Sequence, residues 1–187
     1  MLNTISHKFY TWATGWRVVI LLVADVLMMG YVMPLAAGIL AFAANNSVLP
    51  LDWMFFYTPA KAFEMLDKYG PSGRAVYLKI ELTADIIYPV IYTLFFGLLI
   101  SWLFQRAYPS DSNMRRWNVA PVGAWFFDLL ENIVIVALLA VYPSKPAAVA
   151  LLAMLMGAVK WGFALLSLGL ILVGLVKAAM NGFRNQP

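Results

Sequence analysis

Apolar residues fall in four long runs, roughly 17 to 43, 79 to 105, 119 to 142 and 147 to 177, separated by stretches where charge, proline and glycine concentrate. About 20 mainly apolar residues in a helix cross the hydrocarbon of a bilayer, so each run predicts a membrane-spanning helix. The expected fold is all-α: one domain, an integral membrane four-helix bundle, with no internal repeat or flexible linker to mark a second unit. The first run ends in Ala41-Phe42-Ala43-Ala44, which has the small residues of a signal-cleavage site. Its length and its Asp25 and Pro34 favour a retained anchor over a signal peptide.

The stretch from about 45 to 78 is a long first outer loop. Thr58-Pro59 is a helix-start signal and Gly70-Pro71 a stop, and Phe63, Leu66 and Tyr69 between them share one face. A short interfacial helix is predicted there. Trp53, Phe55, Phe56 and Tyr57, just ahead of it, are of the aromatic kind that sits at headgroup level; an interfacial anchor is the simpler reading and a substrate lid the other.

Composition agrees with the pattern. The 187 residues are 63% hydrophobic and 12% charged, with a mean hydropathy of +0.80, outside the range of soluble domains. Alternate assignment of the loops puts Lys8, Arg17, Arg106, Arg115, Arg116, Lys177 and Arg184 on one side, against Lys61, Lys68, Arg74, Lys79 and Lys145 on the other. The second set is accompanied by Asp52, Glu64, Asp67 and Glu81. By the positive-inside rule both termini are cytoplasmic, in a bacterial inner membrane or a plasma membrane. The net charge of +4 is spread without a dense basic cluster, which argues against a nucleic-acid partner and suits anionic lipid headgroups. Cysteine is absent and His7 is the one histidine, ahead of the first run. Thiol chemistry, disulfides and buried His-ligated haem or zinc are thereby excluded, and no metal or cofactor is expected.

Ionisable residues inside the runs are the candidate chemistry, because burying them in hydrocarbon is costly. Five lie at depth: Asp25, Asp85, Asp128, Glu131 and Lys160, with Glu81 near the outer boundary. The third and fourth runs are joined by Tyr142-Pro143-Ser144-Lys145-Pro146, short enough to impose an antiparallel hairpin. Asp128 and Lys160 are each 16 residues from Ser144, so both lie on the order of 20 Å below the turn and are predicted to pair. Ala153, Gly157, Ala164 and Ser167 fall on the Lys160 face, where small side chains admit a neighbouring helix. Trp125, Asp128 and Asn132 share a face of the third helix, with Glu131 about 60° around. On the second run Arg74, Tyr77, Glu81, Asp85, Tyr88 and Tyr92 recur at spacings of three and four, a polar stripe running inward. Pro89 should free a carbonyl beside Asp85 for a ligand or water, and Asp25 is placed to meet the third helix near Asp128.

Two readings of these groups stand side by side. In one, the Asp128 and Lys160 pair is structural and fixes helix register. In the other, Asp128, Glu131, Lys160 and Asp85 form an acid-base set, and Glu81, Tyr88, Tyr92, Asn132, Trp125 and Asp25 bind a lipid-like apolar molecule, as an isomerase or a binding protein would require. A hydrolase is disfavoured, since no serine is placed beside a histidine. The alternatives are an assembly subunit of a membrane complex, or a small proton-coupled carrier, for which four spans would need a homo-oligomer or a partner subunit. Lys160 among carboxylates and aromatics also brings retinal Schiff-base proteins to mind, although those use seven spans.

Four spans, a long first outer loop and acidic residues in the bundle resemble the plan of the emopamil-binding and sigma-2-type proteins, a resemblance that implies binding of sterol-like molecules. The buried histidine of their isomerase members has no counterpart here. The Phe-Asp-Leu-Leu-Glu-Asn segment from Phe127 to Asn132 is similar to one in bacterial membrane proteins and implies no activity.

Overall fold

The computed structural model describes residues 2–184, and every regular element in them is helical. Helix α1 (Leu2–Trp12) precedes α2 (Gly15–Leu27), which passes through a π-helical turn (Met28–Val32) into α3 (Met33–Ala44). Helix α4 (Pro59–Glu81), α5 (Ala84–Ala107), α6 (Ala120–Val141) and α7 (Ala147–Arg184) follow. Four stretches are long and apolar enough to cross a membrane: Gly15–Ala44, Pro59–Ala107, Asn113–Val141 and Ala147–Gly182. The second is far longer than a bilayer requires. Its charged residues Lys61, Glu64, Asp67 and Lys68 lie in α4, leaving α5 as its apolar part.

The segment predicted to be a loop carrying one short helix does hold that helix, but more of it is helical than expected. Thr58 caps α4 by accepting from Lys61 N at 3.2 Å, and Pro59 opens it, as expected. Gly70, at φ 61° and ψ 179°, does break the helix, but Pro71 starts a second helical stretch that runs to Glu81. Only glycine adopts that backbone without strain. The second span does not begin at 79 either. A turn at Leu82–Thr83 separates Glu81 from Asp85, so the polar stripe is shared by two helices.

The α6–α7 hairpin forms the frame. Ile135 and Leu138 on α6 and Ala150 and Ala153 on α7 are fully buried together. The Phe163 ring occupies the space over Gly123, where a Cβ would stand 2.6 Å from it. Helix α5 packs on both α6 and α7, while α2 packs chiefly on α5 and α3 on α4.

Helix α1, unmarked by any long apolar run, is tied to the far end of the bundle. Phe9 packs against Gly97 of α5. Buried Asn118 donates to Ser6 O at 3.1 Å and to Ser101 Oγ at 2.9 Å, and accepts from Ser6 Oγ at 2.7 Å.

At the opposite end, Asp67 of α4 accepts from Lys145 at 2.6 Å and from Tyr142 at 3.0 Å, latching α4 to the α6–α7 turn. Arg74 lies 3.6 Å over the Tyr142 ring. The hydrogen bond from Lys145 holds the Asp67 carboxyl below the usual carboxylate range. A lowered folded-state value stabilises the fold above the unfolded value, about 3.9, and that contribution disappears as pH falls through the folded value. Asp67→Asn should lower the thermal midpoint at about pH 7 by the worth of an exposed pair, about 0.2–1 kcal/mol. Differential scanning fluorimetry should show the gap to wild type closing as the pH drops below about 4.

Candidate functional site

A cavity of about 510 Å³ opens between α3 and α7 and is backed by α5. Met29, Met33 and Pro34 form one side, Trp161, Ala164 and Leu168 the other, and Pro89 and Phe96 line α5. Met29 is 66% exposed and Leu168 46%, so the mouth lies on the apolar flank of the bundle. The polar groups are at the back: Asp52, Asp85, Tyr88, Tyr92, Asp128 and Lys160.

Each is held there by a local cause. Pro34 has no N–H and crowds the carbonyl four residues earlier. The π turn directly ahead of it accommodates that defect and bears Met29, with Met33 just beyond. Pro89 likewise leaves the Asp85 carbonyl without its helical partner, and Asn132 Nδ2 takes the vacancy at 2.7 Å. The carbonyl expected to be free for a ligand is thus occupied by α6, and this bond pins the start of α5 beside Asp128.

Lys160 lies at the centre. Its Nζ is 2.6 Å from Glu131 Oε2 and 3.4 Å from Asp128 Oδ1, and donates to the Asp52 carbonyl at 3.3 Å. The predicted partner Asp128 is there, but Glu131 is closer. The reason is Gly157, one turn from Lys160 on α7: a Cβ at that position would stand 2.9 Å from Glu131 Cδ and collide with Oε1. Asp128 completes its set by accepting from Tyr92 at 2.8 Å, and Tyr88 packs edge-on against Tyr92.

The two polar groupings, the α4–α5 stripe and the lysine site, meet in one place. Asp85, Tyr88, Tyr92, Asp128 and Lys160 line the cavity, while Glu131, Asn132 and Glu81 lie behind its wall, nearly or fully buried. Two expectations differ. Trp125 is half-buried on α6 outside the lining. Asp25 is buried on α2 outside the lining, and its Oδ1 accepts no hydrogen bond.

Asp52 and Trp53 were missed, because the sequence places them in the outer loop. Tyr77 brings them in: its hydroxyl accepts from Leu51 N at 2.9 Å and donates to Asp52 Oδ1 at 2.8 Å. Phe55 then stacks on Trp161 with centroids 4.3 Å apart. Burial, with the Glu131 and Asp52 carboxylates nearby, pushes the Tyr57 phenol of the same loop above its usual range. The sequence signals for these contacts are Asp52 itself, an acid amid apolar neighbours, and Tyr77 on the stripe. No protein-family model matches the chain, and neither the curated proteins nor the solved structures compared with it give a match.

Removing one member of a buried ion pair leaves the other uncompensated. Lys160→Met should therefore cost about 3–5 kcal/mol, with part regained in the triple variant that adds Asp128→Asn and Glu131→Gln; equilibrium unfolding in detergent measures both. Gly157→Ala should drive Glu131 away from Lys160 and lower stability in wild type, yet cost distinctly less in a Glu131→Ala background, as a double-mutant cycle would read.

Proposed function

We propose that this is an integral membrane protein with cytoplasmic termini that binds an amphiphilic, lipid-like molecule, admitted sideways through the gap between α3 and α7. The observation that carries the reading is the polarity gradient of the cavity, with an apolar mouth on an apolar flank and a charged and hydroxylated back wall. A molecule with a hydrocarbon body and a small polar head matches that gradient, and the volume falls in the usual range for small-molecule sites, about 300–1,000 Å³.

Membrane insertion is supported by the apolar surface. Trp16, Ile20, Val23, Leu27, Leu35 and Phe42 on the first long helix, and Leu155, Leu165, Leu172 and Val176 on α7, are all exposed. Water would not tolerate an apolar surface of this extent on a monomer; lipid covers it at no cost. The orientation rests on the charge split between the two ends. The loop 45–58 and the first half of α4 are assigned to the outer membrane surface, where Phe56 is exposed.

Asp85 and Asp128 at the polar end place two carboxyl groups beside a bound head. Acid-base chemistry on the occupant, such as proton removal at one carbon and return at another, needs two such groups in a dry site. Lys160 Nζ stands 3.4 Å from Asp128 Oδ1, a positive charge beside one of the two. Binding is the primary reading, and turnover would be built on it.

Purified wild-type protein examined by native mass spectrometry and lipidomics should retain a defined amphiphile. Ala164→Phe, which fills the cavity without touching its charges, should reduce retention at least about tenfold, or about 1.4 kcal/mol, at an unchanged thermal midpoint. Equal retention by a well-folded Ala164→Phe protein, or no retained molecule in wild type, would sink this reading.

A further inference from the structure

Behind the cavity wall the hydrogen-bond accounting does not close. Glu81 is fully buried and neither carboxyl oxygen has a partner; Glu131 Oε1, Asp85 Oδ2 and Asn132 Oδ1 are buried and equally unmatched. These are acceptor atoms when the carboxyls are ionised, so what the region lacks is donors. Buried polar atoms in folded proteins are almost always satisfied, and five orphans in one neighbourhood require a common explanation.

Charge counting gives the same answer independently. Asp52, Glu81, Asp85, Asp128 and Glu131 are buried around the ammonium of Lys160, the one buried cation among the described residues. Full ionisation would leave four negative charges uncompensated inside an apolar bundle, at several kcal/mol each. A metal ion does not fit, because no group of three or more acidic side chains among the described residues is arranged to hold one. Protons supply what is missing on both counts: each converts an acceptor into a donor and cancels one charge.

We propose that the carboxyl cluster behind the cavity is a proton-binding site centred on Glu81, which stores at least one proton at neutral pH and exchanges it with the cavity. The groups facing Glu81 are Asp52 from the loop, Tyr77 one turn before it on α4, Asp85 at the start of α5 and Glu131 from α6. Lys160 of α7 bears on the cluster through its ion pair with Glu131. Two routes lead out, since Asp52 and Asp85 both line the cavity. One passes through the Tyr77 hydroxyl, already hydrogen-bonded to Asp52 at 2.8 Å; the other passes to Asp85, across the turn at Leu82–Thr83. The site holds whatever occupies the cavity, so it stands or falls apart from the amphiphile reading.

The test is infrared spectroscopy of the ligand-free protein in lipid nanodiscs. At about pH 7 wild type should show a protonated-carboxyl C=O band that moves on ¹³C-glutamate labelling and shifts in D₂O without unfolding. Glu81→Gln, which keeps shape, should remove at least one carboxyl's share of the band, whereas the exposed control Glu64→Gln should leave it intact. Absence of the band in wild type, or a band indifferent to glutamate labelling, overturns the proposal without any variant having to fold. A band that never shifts in D₂O overturns exchange with the cavity.

Discussion

The ammonium of Lys160 is the point on which the interior depends. Its contacts with Glu131, Asp128 and the Asp52 carbonyl come from α6 and from the loop before α4, so one charge fixes the register of α6 against α7 and holds the loop inward. Burying that charge is worthwhile only because its partners arrive at the same depth, and they do so because the prolines around Ser144 force a tight antiparallel return. The same arrangement explains the tolerance for small residues on α7: without Gly157, Glu131 has no place to sit.

Two backbone defects complement that centre. Pro34 and Pro89 each remove a helical hydrogen bond, and the chain resolves the two cases differently. On the first helix the backbone widens into a π turn; on α5 the orphaned carbonyl is satisfied from outside by Asn132. Both proline residues line the cavity, which therefore occupies the part of the bundle where regular helix packing is interrupted on two sides.

Much of this was legible in the sequence because it depends on local geometry. Run length located the four long helices, and equal distance from Ser144 located the meeting of Asp128 and Lys160. Helical periodicity placed Tyr88 and Tyr92 with Asp85, and Gly157 on the lysine face. What escaped depended on long-range closure. Asp52 reaches the site only because Tyr77, 25 residues on, holds it, and no spacing rule encodes a loop folding back. The turn at Leu82–Thr83 was hidden because Glu81 and Asp85 keep a helical interval across it. Depth along a helix places Asp25 at the level of the site but says nothing about which neighbour it faces, and α1 was overlooked because its hold is a side-chain network around Asn118 and not an apolar run.

The first long helix and α7 form the two sides of the cavity mouth, yet each is secured elsewhere, α2 on α5, α3 on α4 and α7 on α6 and α5. Between them lies a seam closed by few protein contacts. Parting such a seam costs neither side its own packing, so the width of the cavity mouth is not fixed by the contacts that hold the bundle together.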